Sequence, residues 1–144
     1  MMPGAIWFIM KSRRMNKVSK LAVLGLDEAE TAALDDVCTI VDVPTGAALC
    51  REGRLGRQLV WILDGTATVE RAGEAIAVVS AGDVVGEGTM LGAHDLCSAD
   101  VLAATPMTVA VVSRPEWHAL AERCPSLLRR LFTLALEREP RLAA

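Results

Sequence analysis

Between Thr39 and Val112 the chain is cut into short apolar stretches by turn-forming residues at nearly regular intervals, and that punctuation leaves few folds open. Thr39–Val43 ends at Pro44-Thr45-Gly46, where proline fixes φ and glycine can take a positive one. Ala47–Arg51 follows, and then the glycine-rich loop Glu52-Gly53-Arg54-Leu55-Gly56-Arg57. Leu59-Val60-Trp61-Ile62-Leu63 reads as a buried strand, broken by Asp64-Gly65. Thr66–Arg71 alternates, Ala72-Gly73 turns the chain, and Glu74–Val79 returns; Ala99–Ala103 and Met107–Val112 are split by Thr105-Pro106. Seven or eight short strands so spaced predict a sandwich or barrel.

Helices flank this β-rich centre. Asp27 caps one, and Glu30 completes an Asp-x-x-Glu capping box ahead of an apolar face of Ala29, Ala33, Leu34 and Val37. Ser113-Arg114-Pro115-Glu116 is a second capping box, and Trp117, Leu120 and Ala121 give that helix its inner face. Cys124-Pro125 opens a closing helix in which Leu127, Leu128, Leu131, Leu134 and Ala135 recur at three- and four-residue steps, and Pro140 is expected to stop it. This helix is apolar over much of its circumference. One side is expected to pack on the barrel, and the other suits a second copy of the chain in a homodimer.

At 144 residues the chain predicts one domain, residues 21–144, preceded by an extension, residues 1–20. Residues 4–10 are apolar and Lys11, Arg13, Arg14, Lys17 and Lys20 follow, the reverse of a signal peptide's order. A short interfacial anchor and a true start at Met15 are the alternatives, and the second is favoured. No apolar run approaches the ~20 residues of a membrane span. A net charge of −3, with three tryptophans, two phenylalanines and no tyrosine, supplies neither a basic field nor a stacking platform for nucleic acid. The four cysteines, at 38, 50, 97 and 124, have no two-residue gap of a zinc or redox motif. They read as reduced thiols of a cytoplasmic protein. His94 and Cys97 make at best half a metal site, so no metal is expected, and no nucleophile–base pair or phosphate loop points to an enzyme.

One stretch carries chemistry: Ser80-Ala81-Gly82-Asp83-Val84-Val85-Gly86-Glu87-Gly88-Thr89-Met90-Leu91. Two turn signals bracket two valines, and Gly86-Glu87-Gly88 sets exposed backbone N–H groups beside one carboxylate. Such a turn can cradle an anionic oxygen while the carboxylate takes a hydroxyl, which suits a sugar phosphate; on spacing alone a purely structural turn is the favoured reading.

The order helix, β-roll, two helices, together with these motifs, resembles the cyclic-nucleotide-binding domain family. Val43-Pro44-Thr45-Gly46 with Arg51-Glu52-Gly53 is similar to its Pro-x-Gly turn and Arg-Glu-Gly. Val60–Val69 looks like its apolar strand, turn glycine and return strand, and Ala81-Gly82-Asp83-Val84-Val85-Gly86-Glu87 like the opening of its phosphate-binding cassette. The resemblance runs from about Leu21 to Leu136. It implies a mainly β fold, a double-stranded jelly roll with one N-terminal and two C-terminal helices, and cAMP or cGMP as ligand with no other cofactor required. It also implies that Glu87 binds the ribose 2′-hydroxyl. In the family an Arg followed by Ser or Thr and Ala closes the cassette, the Arg pairing with the cyclic phosphate.

Here the sequence departs from the family. With the spacing of the catabolite activator type, Ser98 and Ala99 match but Cys97 stands at the arginine position, and no Arg or Lys occurs between Arg71 and Arg114. Gly88 replaces the usual apolar residue. Losing a charged hydrogen bond to phosphate costs roughly 1.5–3 kcal/mol. The expected binding residues are Gly86, Glu87, Gly88, Cys97, Ser98 and Ala99. Thr133 could touch the purine, although a plain helix-surface position is preferred. Whether Arg54 and Arg57 reach the pocket is left open. The expected function is a sensor module that binds cAMP or cGMP weakly and acts through a protein partner, without contacting nucleic acid itself. The alternatives are a degenerate dimerisation or interaction module and a thiol sensor built on Cys97.

Overall fold

Strand β3 (Gln58–Asp64) carries five consecutive buried residues, Leu59 to Leu63, and so must be covered on both faces. In the computed structural model, which describes residues 20–86 and 96–142, it lies inside a four-stranded antiparallel sheet. The other strands of that sheet are β1 (Thr39–Val43), β8 (Met107–Ser113) and β6 (Val84–Val85), in the order β1-β8-β3-β6, so that β3 pairs with β8 and β6. A second sheet holds β2 (Ala48–Cys50), β7 (Asp100–Ala103), β4 (Thr66–Arg71) and β5 (Glu74–Ser80), in the order β2-β7-β4-β5. Among the described residues the expected strands are therefore present as eight, in a two-sheet roll.

Alternation along each strand divides the core in two. Val60 and Ile62 of β3 join Val41, Val43, Val69, Val101 and Val109 between the sheets. Leu59, Trp61 and Leu63 point the other way, into a second cluster built with the helices. Those helices are α1 (Glu28–Val37), α2 (Arg114–Arg123) and α3 (Pro125–Leu142), which contribute Leu34, Trp117, Leu120, Leu127 and Leu131. Both anticipated capping boxes form: Asp27 with Glu30, and Ser113 with Glu116.

Two expectations about the helices need correction. Ala29 is exposed and Glu30 is buried at 1% exposure, because the carboxylate is drawn inward by partners on α3. Arg130 Nε donates to both Glu30 oxygens at 2.9 and 3.0 Å, and Ser126 Oγ donates to Oε2 at 2.5 Å. The Asp27 amide adds a bond to Oε1 at 3.0 Å, so the capping residue also fastens α1 to α3. Pro140, secondly, does not end α3, which continues to Leu142. Proline removes one i→i−4 bond, and only two further residues of the helix follow it here.

Candidate functional site

The stretch that opens at Ser80 is fixed to the roll by its backbone. The Ser80 amide donates to Asp83 Oδ2 and the Asp83 amide to the Ser80 carbonyl, both at 2.9 Å, which closes the first turn. Gly82 N–H donates to the Ile62 carbonyl at 2.8 Å, and Ile62 N–H to the Asp83 carbonyl at 2.9 Å, stitching the turn to β3. At Gly86 φ is +92°, and a Cβ there would stand 2.5 Å from the Gln58 carbonyl oxygen. Glycine is required on both counts. Gly86→Ala is expected to destabilise the fold by roughly 1–2 kcal/mol from the positive φ alone, with the contact to Gln58 adding to it. Urea unfolding reads that loss, and unchanged stability would mean the backbone there yields freely. Glu87, Gly88 and His94 lie outside the described residues.

On the far side of the cassette, Leu96 forms a bridge with Leu55. Cys97 N–H donates to the Arg54 carbonyl at 2.8 Å, and Gly53 N–H donates to the Cys97 carbonyl at 2.9 Å. Glu52 N–H donates to Asp100 Oδ1 at 2.7 Å, and Arg51 approaches Asp100 at 3.8 Å. Gly86 and Cys97, at either side of the cassette, thus both meet the 52–58 segment: Gly86 lies against Gln58 and Cys97 against Gly53 and Arg54.

That arrangement borders a cleft of about 370 Å³, whose lining includes Cys50, Arg51, Arg54, Arg57, Gln58 and Cys97. The volume lies within the range of small-molecule sites. Arg54 and Arg57, whose reach the sequence left open, line it together with Arg51, and the folding back of the 51–57 loop onto residues 96–97 is what supplies them. Among the described residues neither Arg54 nor Arg57 is ion-paired.

The other anticipated residues fall differently. Ser98 is exposed and its carbonyl accepts from Arg71 Nε at 3.1 Å. Ala99 is buried in the core between the sheets. Thr133 is exposed on α3, where its hydroxyl donates to the Arg129 carbonyl of its own helix at 3.0 Å. The described lining of the cleft does not include it.

Cys97 is half-buried and electrostatically distinct. A hydrogen bond with the Cys50 side chain lowers its thiol to about 7; burial opposes the shift, the Arg51 backbone supports it, and the Asp100 charge opposes it. No helix of the described residues is long and apolar enough to cross a membrane.

Comparison with known proteins gives this geometry a family. A cyclic nucleotide-gated potassium channel of Rhizobium etli is 31% identical over 96 residues, which are 67% of this chain and 26% of the channel. The chain thus spans about a quarter of that relative's length. A cyclic nucleotide-binding domain from Methylobacillus flagellatus superimposes with a TM-score of 0.78 at 25% identity, over 93% of this chain and 84% of that one. A mutant regulatory subunit of a cAMP-independent protein kinase A from Trypanosoma brucei, bound to cAMP in its A site, gives 0.65 at 26% identity. That match covers 81% of this chain and 44% of the subunit. The family profile described as cyclic nucleotide-binding domain matches residues 40–124, more than half of the sequence. The chain belongs to the cyclic nucleotide-binding domain family.

Proposed function

We propose that this chain is a regulatory module with an altered phosphate site, binding cAMP or cGMP weakly through substitute contacts rather than through a cassette arginine. The observation that carries the reading is that Cys97, at the arginine position, shares its cleft with Arg54 and Arg57. In this reading Glu87 takes the ribose hydroxyl. The backbone N–H groups at Gly86 and Gly88 and the Ser98 hydroxyl hold the cyclic phosphate, and Arg54 supplies the positive charge that Cys97 does not. Ala99 packs beneath them, and Thr133 remains a surface residue of α3. The module is regulatory rather than catalytic and works in the cytoplasm. It comprises residues 21–144 with residues 1–20 as an extension, and its output is contact with a protein partner. Phe132, 49% exposed on α3, supports that helix as the face for a second copy of the chain.

Thermal unfolding with and without cAMP or cGMP tests the reading. Nucleotide at about ten times its dissociation constant stabilises a fold by about 1.4 kcal/mol. Arg54→Ala is expected to weaken binding by up to about ten-fold, which cuts that stabilisation at the same concentration to about 0.4 kcal/mol. An unaltered response in Arg54→Ala would place the phosphate elsewhere. No response to millimolar nucleotide by the unaltered chain would favour an interaction module without nucleotide.

A further inference from the structure

Cys50 and Cys97 are separated by most of the roll in sequence and brought side by side by its topology. Cys50 ends β2, where its Cα is partnered with Val101 of β7. The bonds from Cys97 to Arg54 and from Gly53 to Cys97 fold the segment before β7 back over the same loop. Both residues line the cleft and both are half-buried, and the Cys50 side chain is close enough to lower the Cys97 thiol. By contrast, Cys38 is buried, and Cys124 lies 3.6 Å from the Ser126 hydroxyl.

We infer that Cys50 and Cys97 form a reversible intrachain disulfide, making the closing end of the cassette a site of oxidation by small hydroperoxides. The Cys97 thiolate attacks the distal oxygen of the peroxide, the O–O bond breaks, and the alkoxide or hydroxide leaves with the electron pair and is protonated. Cys97 is then a sulfenic acid. Cys50 attacks its sulfur, the S–O bond breaks, and water leaves with the proton of Cys50. Two thiols have given up two electrons and two protons, and the peroxide has been reduced. A disulfide needs sulfurs about 2.05 Å apart, and these two side chains border the same cleft on one folded-back loop, where that bond would form.

Cys97 is the attacking group. With its thiol near 7 it is about half ionised at neutral pH, against roughly 3% for an ordinary thiol. A more acidic thiolate is also a poorer nucleophile, so the net gain in rate is only about three-fold. The pH profile is therefore more informative than the rate. The groups that set it are Cys50, the Arg51 backbone and, in opposition, Asp100. The inference does not rest on nucleotide binding.

The test uses the full chain, reduced, then treated with hydrogen peroxide and mapped as peptides without reductant. The expected product is a Cys50–Cys97 linkage within one chain, lighter by two hydrogens and restored by dithiothreitol. In Cys50→Ser, dimedone is expected to trap a sulfenic acid on Cys97, and the midpoint of Cys97 alkylation against pH is expected to rise. Linkages confined to other cysteines or between chains would overturn the inference. So would a Cys97 alkylation midpoint equal to that of Cys124, or one that Cys50→Ser leaves in place.

Discussion

Replacing Arg130 by leucine is expected to lower the unfolding free energy by about 2–3 kcal/mol at neutral pH and by less in acid. Leucine is as good a helix former as arginine, so α3 itself is not weakened. The loss arises at Glu30. Burial alone would raise that carboxyl, but hydrogen bonds from Arg130, Ser126 and the Asp27 amide, with the charge on Arg130, hold it at about 2 against an ordinary 4.5. Because the folded value lies below the unfolded one, the contribution is complete above about pH 4.5 and is lost as pH falls towards 2. A shift of that size is worth about 3 kcal/mol, and water at the half-exposed Arg130 brings it nearer 2. Without Arg130 the covered carboxylate has lost its charge partner, and burial pushes it to take up a proton. The gap between the two proteins should therefore narrow as pH falls through 4.5. Urea unfolding at pH 7 and near pH 4 measures it, and a loss that is the same at both would contradict this origin.

How far the sequence reaches is clear from such cases. Turn chemistry was legible: Pro44-Thr45-Gly46 and Ala72-Gly73 delimit strands within a residue or two of where they lie, since proline and glycine act locally. Both capping boxes were legible for the same reason. The partnership of Glu30 with Arg130 was not, because the two are 100 residues apart and only the packing of α1 beside α3 joins them. A glutamate three residues after Asp27 reads as a cap, and nothing local says that it is also buried. The absence of any Arg or Lys between Arg71 and Arg114 was legible at once. That Arg54 and Arg57 line one cleft with Cys97 was not, since the bridge of Leu55 to Leu96 brings the two segments together. The approach of Cys97 to the end of β2 likewise follows from the turn at Arg51–Arg54, whose backbone bonds residue 97, rather than from spacing.

The second large effect is expected from Cys97→Arg, a gain in affinity for cAMP of about ten- to hundred-fold. A charge-assisted bond to phosphate contributes roughly 1.5–3 kcal/mol, and a guanidinium can make two in parallel. The position suits the change, because Cys97 is half-buried beside a cleft of about 370 Å³ and the new side chain has room. Asp100, which opposes ionisation of the Cys97 thiol, would favour a cation in its place. Cys97→Lys should recover less than Cys97→Arg, since an ammonium acts as a point charge and lacks the planar fork. Equal gains from the two would mean that charge alone, rather than bidentate geometry, is what the site lacks.

The most direct measurement is a calorimetric titration of cAMP into the unaltered chain and into Cys97→Arg under one set of conditions. Weak binding by the unaltered chain is expected, and binding at least about ten-fold tighter by the variant. Tight binding by the unaltered chain, not improved by arginine, would contradict the claim that Cys97 leaves the phosphate end of this site short of a cation.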